Sequence, residues 1–295
     1  MYPAVAELCE VGPRDGFQFE ATPISSARKI STITRLAKAG LKRIQVTSFV
    51  HPKWVPQMAD AEAVVEGLPS LEGVVYTGLA LNQRGVARAA QTRLTHIDLS
   101  IATHPQHSRD NANMTVEEGV AQAEAMIEAA HGAGLRPQLG LQTVFGYAAP
   151  GDVPLAEIEA LARRFATQDL ESFSLADSTG MANPVMIRER VQAIQAILGD
   201  VPLVLHLHDT RGLGMANVVA ALECGIARFD TSLGGLGGCP FIPGATGNIA
   251  TEDTAYLLGQ LGVETGIDLN AVAAVTRDTA SFLDKPLPGK LYTLM

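Results

Sequence analysis

In the stretch 203–209, LVLHLHD, two histidines interrupt an apolar run that ends on an aspartate. Side chains at i and i+2 of an extended strand share a face, so His206 and His208 stand about 6.5 Å apart along the backbone. From that spacing two imidazoles can grip one metal ion. A lone histidine near a strand end is more often a hydrogen-bonded core residue. Two on one face of a Leu/Val strand are costly to bury without a shared partner, which favours metal ligation.

Other polar residues recur where short apolar segments end: Glu10, Arg14 and Asp15; Gln45, Thr47 and Ser48; Gln142 and Thr143; Asp177 and Ser178. Asp15 lies on a Gly/Pro-shaped turn and is the natural third ligand; its alternative roles are pairing with Arg14 or capping the turn. Two imidazoles with oxygen ligands and no thiolate suit octahedral Mg²⁺, Mn²⁺ or Co²⁺ better than structural zinc. Residues 234–253, GGLGGCPFIPGATGNIATED, hold more glycine than a packed core needs. Such a loop brings its backbone close to a ligand, and Cys239 in its middle can approach the site when the loop closes. The Asn248 carbonyl oxygen is a candidate fourth ligand. An ordinary surface loop with an incidental cysteine is the alternative.

Eight short apolar segments position these residues, at 6–11, 43–47, 74–81, 96–102, 137–143, 172–177, 203–209 and 229–233. Helical patterns alternate with them, as at 25–40, 115–134, 155–168 and 184–198. Ser25 is placed to cap the first, with Lys38 and Gly40 at its far end; Thr115 and Glu118 form a capping-box pattern at the start of another. Strand then helix, eight times over, predicts a parallel sheet with right-handed crossovers, closed at this length into a (β/α)₈ TIM barrel. Segments 252–261 and 270–283 add a final barrel helix and an extra C-terminal one. The expected organisation is one catalytic barrel over 1–295, with the strand-eight loop and helical region starting near 234. Its active site should lie at the C-terminal strand ends.

The 295 residues carry a net charge of −9 without basic runs, which argues against nucleic-acid or anionic-membrane partners. The start, MYPAVAELCEVG, lacks a basic region followed by an apolar one, so a cytoplasmic protein is expected. Cys9, Cys224 and Cys239 are an odd set read as reduced thiols.

The segments EVGPRDGFQFE, TSFVHPKWVPQM, HLHDTRGLGMAN and GGLGGCPFIPGATGNIATED closely resemble the 3-hydroxy-3-methylglutaryl-CoA lyase family of the DRE-TIM metallolyase group, which also contains isopropylmalate and homocitrate synthases. The resemblance implies Asp15, His206, His208 and Asn248 as metal ligands, Arg14 as the cation at the reacting carbonyl, and Cys239 as the loop acid or base. It implies Mg²⁺ or Mn²⁺, with Co²⁺ or Zn²⁺ as substitutes, and a CoA thioester substrate. Asp177 and His206 complete the candidate catalytic set. Gln18, Gln45, Thr143 and Lys53 are candidate substrate contacts, and Lys53, Arg84 and Arg109 candidate phosphate contacts. A homodimer is the expected assembly from the frequency of two-fold oligomers.

The chain departs from the family where Gln45 replaces a usual glutamate, where His104, Pro105 and His107 replace a common Ser-Glu pair, and near Gln138, a position often arginine. His104 and His107 read equally as substrate-carboxylate contacts or solvated loop residues. The expected reaction is metal-dependent carbon–carbon cleavage of a 3-hydroxy-3-methylglutaryl-CoA-like thioester. Citramalyl-CoA or a longer branched thioester, a condensing synthase and a non-catalytic barrel are the alternatives.

Overall fold

The computed structural model describes residues 2–238 and 246–295. Eight parallel strands, β1 (Glu7–Glu10), β2 (Arg43–Ser48), β3 (Val75–Ala80), β4 (His96–Ala102), β5 (Arg136–Gln142), β6 (Ser172–Ala176), β7 (Leu203–His206) and β8 (Arg228–Thr231), form a closed barrel in sequence order. The seam is made by β1 on β8, with Glu7 opposite Arg228 and Glu10 opposite Thr231. The expected TIM barrel is therefore the observed fold.

The helices are α1 (Ser26–Lys38), α2 (Ala61–Gly67), α3 (Gln83–Ala89), α4 (Pro105–Ala112), α5 (Val116–Gly132), α6 (Leu155–Phe165), α7 (Pro184–Leu198), α8 (Gly214–Glu223), α9 (Thr251–Gln260) and the additional α10 (Leu269–Leu283). Ser25 accepts from the Arg28 N–H at the start of α1, and Thr115 and Glu118 form a complete capping box on α5. The short α4 follows β4 where the sequence reading had a loop. His104 accepts from the Gln106 N–H, and Pro105 opens the helix with φ preset and no N–H to lose.

Strand alternation separates two environments. Ile44, Ile97, Leu139, Phe173 and Leu205 are fully buried in the apolar core, whereas Gln45, Asp98, Gln138 and Ser174, on the alternate positions, line a central cavity. Each large apolar side chain so buried contributes roughly 1.5–3 kcal/mol. The helix-facing layer thus stabilises the barrel while its upper interior stays polar. In β7 ladder pairing stops at His206, short of the expected 209; His208 instead bridges Asn248 on the returning strand-eight loop.

Candidate active site

The turn after β1 is one wide π-helical turn, Gly12–Gly16, closed by the Phe17 N–H donating to the Gly12 carbonyl five residues back. Such turns are rare and occur mostly at functional sites. A Cβ at Gly12 would come within 2.3 Å of Leu233 and 2.6 Å of the Glu10 carboxylate, so only glycine fits. Glu10 fixes the turn: it accepts from the Gly12 N–H (2.8 Å), the Leu233 N–H (2.9 Å) and the Thr251 hydroxyl (2.7 Å). Burial pushes its carboxyl up to about 7, against the pull of those donors.

Arg14 and Asp15 are thereby aimed over the barrel axis. One ligand atom each from Asp15, His206 and His208 lies within 4.8 Å of the others, and the two Nε2 atoms are 3.2 Å apart. Two nitrogens held side by side at about 2.1 Å from one ion would be roughly 3 Å apart, so the separation fits a shared metal. Asn248 donates to Asp15 at 2.7 Å and to the Leu236 carbonyl at 3.0 Å, which fixes its amide; its Oδ1 is buried without a hydrogen-bond partner among the described residues. An orphaned carbonyl oxygen beside a carboxylate and two imidazoles is the donor set of a hard or borderline cation.

The electrostatics agree. Burial alone would raise the Asp15 carboxyl, but the Arg14 guanidinium at 2.6 Å, and then the two histidines, hold it below the ordinary value. His206 is penalised by burial, yet Asp230, 3.2 Å from its Nδ1, raises it above the usual imidazole value. Burial and then the neighbouring His206 push His208 down to about 3. Either imidazole can donate across the Nε2–Nε2 contact, and a cation bound there would displace that proton.

These groups face a cavity of about 480 Å³. Val50, Trp54, Val55, Leu79 and Leu81 supply apolar lining; Ser100, Gln138, Gln142, Ser174 and Ser178 supply uncharged polar lining. Gln18 lies on it and donates to Asp15 at 2.9 Å. Gln45 lies on it and accepts from the Arg14 Nε–H.

Other expected residues sit elsewhere. Asp177 is buried outside the cavity lining, its Oδ1 accepting the Met181 and Ala182 N–H groups, which makes it a brace of the β6 loop in this geometry. Thr143 is buried behind the lining in a left-handed conformation (φ 61°), its hydroxyl donating to the Gln142 carbonyl at 2.6 Å. Lys53 is exposed beside Trp54, whose ring lies 5.7 Å from its Nζ, so the sequence neighbour rather than Lys53 reaches the lining. Arg84 and Arg109 are exposed and also off the lining. The two loop histidines part company: His104 caps α4, while His107 is buried on the cavity, where burial lowers it to about 4. Cys239 lies outside the described residues; Cys9 and Cys224 are free thiols.

Two residues the sequence reading passed over matter here. Asp230 holds the His206 Nδ1, and Asp98 receives the Gln45 amide. Their signal was a carboxylate at an inward position of a strand, in RFDT and HIDLSIA.

Comparison with known proteins agrees with this geometry. The solved HMG-CoA lyase of Bacillus subtilis superposes with a TM-score of 0.95 at 37% identity, over 99% of this chain and 98% of that one. An HMG-CoA lyase from Acinetobacter baumannii, solved with coenzyme A and 3-methylmalate, gives a TM-score of 0.93 at 36% identity, over 98% and 95%. A Pseudomonas aeruginosa relative described as a 3-hydroxy-3-isohexenylglutaryl-CoA/hydroxymethylglutaryl-CoA lyase is 37% identical, over 96% of this chain and 94% of its own. The HMGL-like family profile matches residues 5–278, and the chain belongs to that family of metal-dependent carbon–carbon lyases.

Proposed function

We propose that the chain cleaves 3-hydroxy-3-methylglutaryl-CoA, or a close 3-hydroxyacyl thioester, to acetyl-CoA and acetoacetate or the matching keto product. The observation that carries this is the convergence of Asp15, His206 and His208 beside the Arg14 guanidinium, on a cavity roomy enough for a branched acyl group.

Asp15, His206, His208 and the Asn248 carbonyl oxygen would hold a divalent ion, Mg²⁺ or Mn²⁺ by the preference of oxygen-rich sites. When bound, the ion supplies Lewis acidity that lowers the pKa of the substrate 3-hydroxyl. As a base in the cavity takes the hydroxyl proton, the C2–C3 bond breaks, a carbonyl forms at C3 and the bonding pair passes to the thioester as an enolate. Arg14 offers a fixed positive charge to that oxygen. Cys239 is the proposed donor that protonates the enolate carbon. Asp230 keeps the His206 Nε2 lone pair facing the site by accepting from Nδ1.

A second reading concerns size. Gly140 lies in register with Ser100 and Ser174, and a Cβ there would meet nothing closer than 3.6 Å, so its missing side chain is extra cavity. That room favours a 3-substituent larger than methyl, in keeping with the Pseudomonas aeruginosa relative. A cytoplasmic homodimer completes the proposal. The homodimer is supported by the prevalence of two-fold oligomers; among the described residues no helix is long and apolar enough to cross a membrane.

The test is acetyl-CoA release from 3-hydroxy-3-methylglutaryl-CoA with Mn²⁺ or Mg²⁺ against a chelator, for the wild type and Cys239→Ala. Metal-dependent turnover that collapses in the variant is expected. No turnover with metal bound would reject this substrate and move the assay to longer 3-alkyl thioesters.

A further inference from the structure

We propose that Asp98 is a positioning residue for Arg14, acting through the side-chain amide of Gln45. The inference rests on the lyase reading for its kinetic consequence and on hydrogen bonding alone for its geometry.

The Arg14 Nε–H donates to Gln45 Oε1, and the Gln45 Nε2 donates to Asp98 Oδ2, which also accepts from the Thr77 hydroxyl. Gln45 and Asp98 are 4% and 3% exposed, so water does not substitute for these partners. An amide by itself is ambivalent: rotated by half a turn, Gln45 would present its NH₂ to the Arg14 Nε–H, donor against donor. Asp98 removes the ambiguity. Its Oδ2 takes both incoming donors and so fixes which end of the amide faces the arginine. With Nε held by Gln45 and Nη1 by Asp15 at 2.6 Å, the Arg14 Nη2 has no hydrogen bond among the described residues and is left for the substrate.

The relay also answers why a neutral Gln45 can sit against Arg14. The carboxylate is present, two strands further round the barrel on β4, and linked through the amide. Gln45→Glu in this background would set two carboxylates in contact. The competing explanation is that Asp98 only neutralises Arg43, whose Nη2 lies 4.0 Å from Oδ1 and which also pairs with Glu171 at 3.6 Å.

The experiment compares wild type, Asp98→Asn, Gln45→Glu and the double variant, with kcat and KM on 3-hydroxy-3-methylglutaryl-CoA and thermal unfolding for each. Losing an oriented, charge-assisted hydrogen bond to a group that acts on transition-state charge lowers kcat roughly ten- to a hundredfold with little change in KM, expected for each single variant. The double variant exchanges carboxylate and amide, restoring an acceptor on Arg14, and is expected to recover kcat to within a few fold of wild type. A double variant as slow as the slower single, or an Asp98→Asn protein with wild-type kcat, would overturn the relay. Counter-charge for Arg43 predicts no recovery, since the swap leaves position 98 neutral.

Should Asp98→Asn fail to fold, Gln45→Leu severs the relay with Asp98 in place and carries the same expected kcat loss; wild-type kcat there would equally overturn it. The Arg14 Nε–H proton resonance gives a reading without turnover: shifted by its bond to Gln45 in wild type, altered in Asp98→Asn, restored in the double variant. If wild type fails to cleave the thioester, the lyase reading falls and this resonance still decides the relay; an unmoved signal in Asp98→Asn rejects it.

Discussion

Removing Asp230 should weaken metal binding without unfolding the barrel. The Asp230 carboxylate lies 3.2 Å from the His206 Nδ1, and both groups are largely withdrawn from water. The contact does two things. It fixes the tautomer that leaves the Nε2 lone pair free, and it makes the imidazole a stronger donor. Asp230→Asn keeps an acceptor of similar shape but no charge; a charge-assisted hydrogen bond is about twice a neutral one, so the loss is roughly 1–1.5 kcal/mol, near tenfold in Kd. Asp230→Ala removes the acceptor too and frees the tautomer, taking the loss to as much as roughly a hundredfold, the usual effect of deleting a partner of a ligating histidine. Calorimetric titration of Mn²⁺ at one fixed pH, with unfolding measured in chelator as a control, reads these steps. An Asp230→Ala protein that binds Mn²⁺ as tightly as wild type would refute the assignment of His206 as a ligand oriented from behind.

Gly140→Val should be accommodated by the backbone, since the first added carbon meets only ordinary contacts, while its methyl groups enter the cavity. The kcat/KM ratio for 3-hydroxy-3-methylglutaryl-CoA over a longer 3-alkyl analogue should rise by more than about tenfold; an unchanged ratio places the branch elsewhere. Asp177 is pushed by burial up to about 7, so the folded state holds a proton that the unfolded chain gives up near 3.8. Folded protein binds more protons across that window, and stability therefore falls as pH rises through it, by as much as roughly 4 kcal/mol for this one group. Asp177→Asn keeps an acceptor for the Met181 and Ala182 N–H groups and should lose less stability than wild type between pH 5 and pH 8 in urea unfolding; parallel losses would show that Asp177 is ionised throughout.

Much of this was legible in the sequence because it is local. Alternation and capping predicted the barrel, and the i, i+2 rule put His206 and His208 on one face. What escaped depends on register and tilt between distant segments. Asp98 meets Gln45 across 53 residues and Asp230 meets His206 across 24, pairings that no spacing encodes. Asp177, Thr143 and Lys53 show the same dependence on local geometry. Each stands beside a strand end in sequence, but the pleat or a turn carries Ser178, Gln142 and Trp54 to the lining in their place. The helix α4 was missed because its apolar pattern is weak and its stability comes from its cap and proline.

The donor atoms flank the barrel's seam. Asp15 follows the first strand, His206 ends the seventh and His208 follows it, and Asn248 follows the eighth. Neither half of a nascent chain possesses the site, so a divalent ion discriminates a closed barrel from every open intermediate. By mass action an ion at a hundred times its Kd adds about 2.7 kcal/mol to that closure alone. A cation held there would serve as a buckle on the fold as well as an agent of the chemistry, and its withdrawal should be felt first as fraying between the first and last strands.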